Sequence, residues 1–201
     1  MPDLSKVRAL PLVVLLLDGL STLCFHFSAF FPNGELDKDK DKLFETHIAE
    51  ICVFVSMDHE AIQINPKYRS QAPWTLAQKE LQKINVYKSP GDKLDCIMRT
   101  CRIIMSKDTL LWVLPFLQDS HFPFSPSLLK DLISFNGKEV GADDFFPVLV
   151  FVILQANPRC LLSTVQYIKY FYESKATGEA SYWWSQFIVA VEFIKTLNPK
   201  Q

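Results

Sequence analysis

Glycine is scarce in this chain, with six among 201 residues. A turn-rich all-β fold would need more of them, and none falls in a phosphate-cradling pattern. Excess charge is also missing. Lys and Arg number 21 against 22 Asp and Glu, for a net charge of -1, so the basic footprint of a nucleic-acid binder is absent. The five cysteines (Cys24, Cys52, Cys96, Cys101 and Cys160) form an odd set without the paired spacing of zinc ligands. Reduced thiols in the cytosol are the simplest account of them. No internal repeat is visible, and no stretch alternates as a half-buried strand would.

Apolar residues are plentiful at 49%, enough for one domain with a sizeable core. Residues 9–31, "ALPLVVLLLDGLSTLCFHFSAFF", follow Lys6 and Arg8. They read as a secretory signal, as a weak membrane span, as a helix packed on the domain, or as a start foreign to it. Asp18 weighs against the span, because a carboxylate there costs about 2.5–3.5 kcal/mol on insertion scales. The chain accordingly divides into an apolar segment at 1–29 and a domain at 30–197, with an irregular insert at about 106–130. The insert carries three prolines and several aromatics. It reads as an irregular loop with one short helix at most, or as a partner-binding loop, with His121 a surface residue.

Helical spacing dominates the rest. "ELDKDKDKLFE" (Glu35 to Glu45) is a mixed-sign run that suits a solvated linker or a helix start. Phe44, Ile48, Ile51 and Val55 then recur on one face, before a stop ahead of Pro66. "RSQAPW" reads as a breaker at Pro73, with Thr75 capping a short helix that reaches about Val86. Ser89, Pro90 and Asp92 make a helix start, followed by a face of Leu94, Ile97, Cys101 and Ile104. Val148 to Leu154 is apolar on every side, which requires a central helix. Asn157 and Pro158 end it. Leu161, Val165, Ile168 and Phe171 mark a further helix, and Trp183, Phe187, Val191 and Ile194 the last. The fold class is all-α, a layered helical bundle.

Two features invite a chemical reading. Asp143 and Asp144 stand directly before the central apolar run. Carboxylates there stabilise a helix start by about 0.3–1 kcal/mol each, with Gly141 permitting the turn before it and Pro147 fitting the same boundary. A metal site lacks a third ligand nearby, and no nucleophile and base are placed for hydrolysis. In "GEASYWWSQ" (Gly178 to Gln186), successive residues point about 100° apart on a helix, so Tyr182, Trp183 and Trp184 cannot all be buried. Tyr182 and Ser185 share a face, and that face suits a partner groove.

The stretch "GADDFFPVLVFVILQANPRCLLSTVQYIKYFYESKATGEASYWWSQFIVAVEFI" resembles the vacuolar protein sorting 9 domain, a family of exchange factors for Rab GTPases. Asp-Asp-Phe-x-Pro, Asn-Pro, Gln-Tyr-Ile, Gly-Glu before aromatics and Ala-Val-Glu-Phe-Ile stand in family order and spacing. "SPGDKLDCIMRTCRIIM" resembles the helix before them. The resemblance covers about residues 30–105 and 131–197. It does not cover 1–27 or 106–130, and the family's domain normally begins with more helical bundle, so a shortened amino-terminal side is expected.

The resemblance implies a guanine-nucleotide exchange factor that promotes GDP release from GTPases of the Rab 5 subfamily in endocytosis. No covalent chemistry, cofactor, metal or nucleic acid is implied. The setting implied is cytoplasmic, peripheral to endosomal or plasma membranes. Asp143 matches the family's acidic finger, and Pro147, Tyr182 and Ser185 match positions that contact the GTPase. The family's usual threonine is Ser185 here, which keeps the hydroxyl. Asp144 is left for local stabilisation of the helix start. The alternatives are a GTPase-binding module without exchange activity and, from residues 9–31, a secreted or membrane-anchored helical protein.

Overall fold

A computed structural model describes residues 35–69, 71–106, 130, 140–172 and 176–198. Among these residues there are six α-helices and no strand. They are α1 (Glu35–Phe54), α2 (Gln71–Gln82), α3 (Pro90–Met105), α4 (Ala142–Ala156), α5 (Leu161–Phe171) and α6 (Glu179–Thr196). Short 3-10 turns occupy Pro66–Tyr68 and Lys83–Asn85. The expected all-α class is therefore found. The apolar segment at 1–29, His121 and residues 107–129 of the insert lie outside the described residues.

The centre of the fold is α4, which packs against α1, α2, α3 and α6. Every residue from Val148 to Leu154 is buried. A helix apolar all round is stable only when neighbours cover each side, and these four supply the cover. Asn157 ends it in a left-handed conformation at φ 36°, with its amide bonded to the Ile153 carbonyl. Asparagine tolerates that region better than most side chains. In α3, Ser89 accepts a hydrogen bond from the Asp92 amide at 3.1 Å, the cap expected from the sequence. Cys96 and Cys101 are fully buried, and burial pushes the Cys96 thiol up to about 12.

Several expectations need correction. The second helix begins at Gln71, so Pro73 lies within its first turn and Thr75 is not its cap. Proline is tolerated there because a helix's first amides have no intrahelical acceptor to lose. The buried tryptophan of α6 is Trp184, whereas Trp183 is half-buried, a one-residue shift of the apolar face. Phe171 is only half-buried as well. The charge run at Glu35 forms a helix start, one of the two readings it allows, but its solvation is incomplete: Asp41 is buried. Asp41 accepts from both the amide and the hydroxyl of Ser163, and Glu45 accepts from the Cys160 amide at 2.9 Å. Carboxylates of α1 thereby satisfy amides at the start of α5 that no helical carbonyl can reach.

Candidate GTPase-contact face at the start of α4

Gly141 is the N-cap of α4 and offers no side-chain cap bond. Asp143 and Asp144 follow in the first turn, where the helix dipole favours negative charge. Their surroundings differ sharply. Asp144 is half-buried and occupied: Asn65 donates to one of its oxygens at 3.3 Å, and Lys67 lies 3.3 Å from the other. Asn65 and Lys67 belong to the loop between α1 and α2, where the Asn65 side chain also caps the Pro66–Tyr68 turn. Asp144 thus ties that loop to α4, a tertiary role beyond its position at the helix start. Asp143 is exposed, and among the described residues no side chain pairs with it.

Pro147 lies inside α4 rather than at its boundary, correcting the expectation from sequence. The missing N–H is the one that would bond the Asp143 carbonyl, four residues back, and the ring crowds that carbonyl. The first turn nevertheless keeps its bonds from the Asp144 and Phe145 amides to the Gly141 carbonyl, each 3.0 Å, and the helix beyond Pro147 is buried in the core.

Aromatic rings join this tip to α6. Phe145 is buried, and its ring centroid lies 4.5 Å from that of Trp183. Trp183 in turn lies 4.8 Å from Tyr182, edge to face. The Trp183 indole donates to Glu179 at 3.1 Å, and Arg102 of α3 reaches the other Glu179 oxygen at 3.4 Å. These two partners, the indole first, hold the Glu179 carboxyl below its usual range. Tyr182 is 49% exposed. Ser185 is exposed too, and its hydroxyl donates to the Ser181 carbonyl at 2.8 Å. Val189, 54% exposed, extends the same stripe. Sequence reasoning missed Val189, although its spacing of four from Ser185 and seven from Tyr182 was a usable signal. The tilted contact of Phe145 with Trp183 had no local signal, since the two are far apart in the chain.

Most of this face lies in a region that matches known proteins. The family model of the Vacuolar sorting protein 9 (VPS9) domain matches residues 74–199. The chain belongs to the VPS9 domain family. It is 43% identical over 173 residues to the GTPase-activating protein and VPS9 domain-containing protein 1 of Bos taurus, covering 86% of this chain and 11% of that protein. It is 34% identical over 173 residues to Receptor-mediated endocytosis protein 6 of Caenorhabditis elegans, covering 85% and 14%. Against Vacuolar protein sorting-associated protein 9A of Arabidopsis thaliana the identity is 37% over 172 residues, covering 85% and 29%. The chain thus spans a minor part of the length of each relative. It carries a VPS9 domain, of the type that serves exchange factors for Rab GTPases. Among the described residues, no helix of this domain is long and apolar enough to cross a membrane.

Proposed function

We propose that this VPS9 domain accelerates GDP release from a GTPase of the Rab 5 subfamily, with Asp143 as the acting group and Pro147, Tyr182 and Ser185 as contacts to the GTPase. The observation that carries the reading is the contrast between the two adjacent aspartates. One is consumed by Asn65 and Lys67, and the other projects freely from the end of a buried helix.

A small GTPase holds its nucleotide with Mg²⁺ and a phosphate-loop lysine. A carboxylate inserted at that place repels phosphate, disfavours the metal position and can pair with the lysine. Unit charges about 4 Å apart interact by roughly 4 kcal/mol at an effective dielectric constant near 20, before desolvation is subtracted. If most of that is realised in the transition state, release quickens by orders of magnitude. Rigidity supports the effect, because a charge on a loose segment would spread over many positions. The domain binds the nucleotide-free GTPase most tightly, and linkage then requires it to weaken nucleotide affinity by the same factor. The reaction makes and breaks no covalent bond and draws on no cofactor of the domain. The setting is cytoplasmic, at the surface of endosomal or plasma membranes.

The test is release of a fluorescent GDP analogue from a panel of Rab GTPases, with and without the chain. Acceleration by the wild type, and its loss in Asp143→Ala with some binding retained, is the expected result. Equal acceleration by both proteins would reject the role of Asp143. Binding without acceleration by the wild type would leave a GTPase-binding module and no exchange factor.

A further inference from the structure

Three lysines from three helices line one cavity, which adjoins the Tyr182–Ser185 stripe of α6. Lys40 of α1, Lys169 of α5 and Lys195 of α6 line a space of about 460 Å³. Its floor is apolar and includes Ile188 and Val191, and Gln166 adds a polar amide to the wall. The one carboxylate lining it, Glu192, lies 2.7 Å from Lys195. Asp41, behind the wall, is buried and engaged by Ser163. Neither Lys40 nor Lys169 has an acidic partner among the described residues.

Lys169 and Lys195 each stand in the last turn of their helix, where the dipole favours a cation. That explains why each is tolerated, but not why both line one cavity with Lys40. Like charges gathered around a partly apolar space repel one another, and a bound anion relieves the repulsion. The volume falls within the roughly 300–1,000 Å³ typical of small-molecule sites, and is several times what a single phosphate needs. Lysine ammonium groups bind phosphate as compact point charges.

We propose that this groove binds a phosphorylated polyol, a small ring bearing two or more phosphates, either free or as a lipid headgroup. The phosphates meet Lys40, Lys169 and Lys195, and the neutral face of the ring lies on the apolar floor. Nucleotide exchange is not part of this inference, and neither depends on the other.

The experiment titrates the intact chain with inositol tetrakisphosphate by calorimetry. It also measures retention on phosphatidylcholine vesicles carrying phosphatidylinositol bisphosphate, against phosphatidylserine vesicles of equal total charge. Variants are Lys40→Gln, Lys169→Gln and their double, with the exposed Lys79→Gln as control. Saturable binding is expected, weakened about fivefold by each single change and about twentyfold by the double, with unaltered melting and GDP release. Lys79→Gln should bind as the wild type does. Retention on the bisphosphate vesicles that the soluble polyol displaces supports the site and admits both sources. Retention that it does not displace, but that the double variant abolishes, supports the site and assigns the lipid. Three results would overturn the proposal: no saturable binding to either probe, equal affinity of the double variant and the control, or retention that follows total vesicle charge alone.

Discussion

Two regions of this domain carry charge under opposite conditions. Between α2 and α3, Glu80 is buried, with Arg99 at 2.6 Å and Lys83 at 3.3 Å. Arg99 also lies over the Tyr87 ring, 5.1 Å from its centroid. At the start of α4, Asp143 is exposed without a partner among the described residues. Burial demands that a charge be paired, so the first region is scaffold. Exposure carries no such demand, and a carboxylate left free on a rigid support keeps its full charge for another molecule. The state of pairing, more than the presence of charge, distinguishes the two regions.

The largest expected effect tests the free end of that comparison. Asp143→Ala should slow accelerated GDP release by about a hundredfold or more while shifting stability by less than about 0.5 kcal/mol. A large loss of stability in denaturant melts would mean that Asp143 belongs to the scaffold after all.

Lys93 sharpens the buried side. Its side chain is buried and donates to the Ile84 carbonyl at 2.9 Å, and desolvation lowers its pKa from 10.5 to about 8. The unfolded chain then binds more protons between those values, so this group adds stability as pH rises through that window and costs stability below it. Wild type minus Lys93→Met should therefore gain about 3 kcal/mol from pH 8 to above 10. Taking the difference between the two proteins cancels the opposing contribution of the buried thiols. Urea melts across that range make the measurement, and parallel curves would contradict it.

Glu80→Ala leaves Arg99 and Lys83 without their carboxylate and should destabilise the fold by about 2 kcal/mol, with GDP release per folded molecule unchanged. A parallel fall in release would erase the distinction between the two regions. Trp183→Leu removes the ring that touches both Phe145 and Tyr182. It should reduce the maximal release rate about tenfold, with a smaller change in affinity for the GTPase, because it disturbs the alignment of two contact elements. An effect on affinity alone would make Trp183 a contact residue. The smallest change is expected for Asp144→Asn. It weakens the ion pair with the exposed Lys67 and should show as a modest fall in melting temperature.

Much of the fold was legible in the sequence because it rests on local rules. Val148 to Leu154, apolar at every position, required a helix covered on all sides. Ser89 and Asn157 marked a start and an end through side-chain chemistry that works at short range. Local rules failed where two readings of one residue competed. Pro73 suits a breaker or a first helical turn equally well, and only the docking of α2 selected the second. Trp183 and Trp184 are adjacent and chemically alike, so the packing of α6 on its neighbours decided which one faces the core.

The candidate site divides the same way. Its residue types were set by the sequence: a pair of acids ahead of an apolar rod, a proline close behind, and an aromatic and a hydroxyl three apart on a later helix. Their arrangement came from contacts between distant segments. Asn65 and Lys67 reach Asp144 and not Asp143, and Phe145 meets Trp183 across the α4–α6 junction. Periodicity and capping follow from neighbours along the chain, whereas the choice of which carboxylate is tied down depends on what the packed core brings beside it.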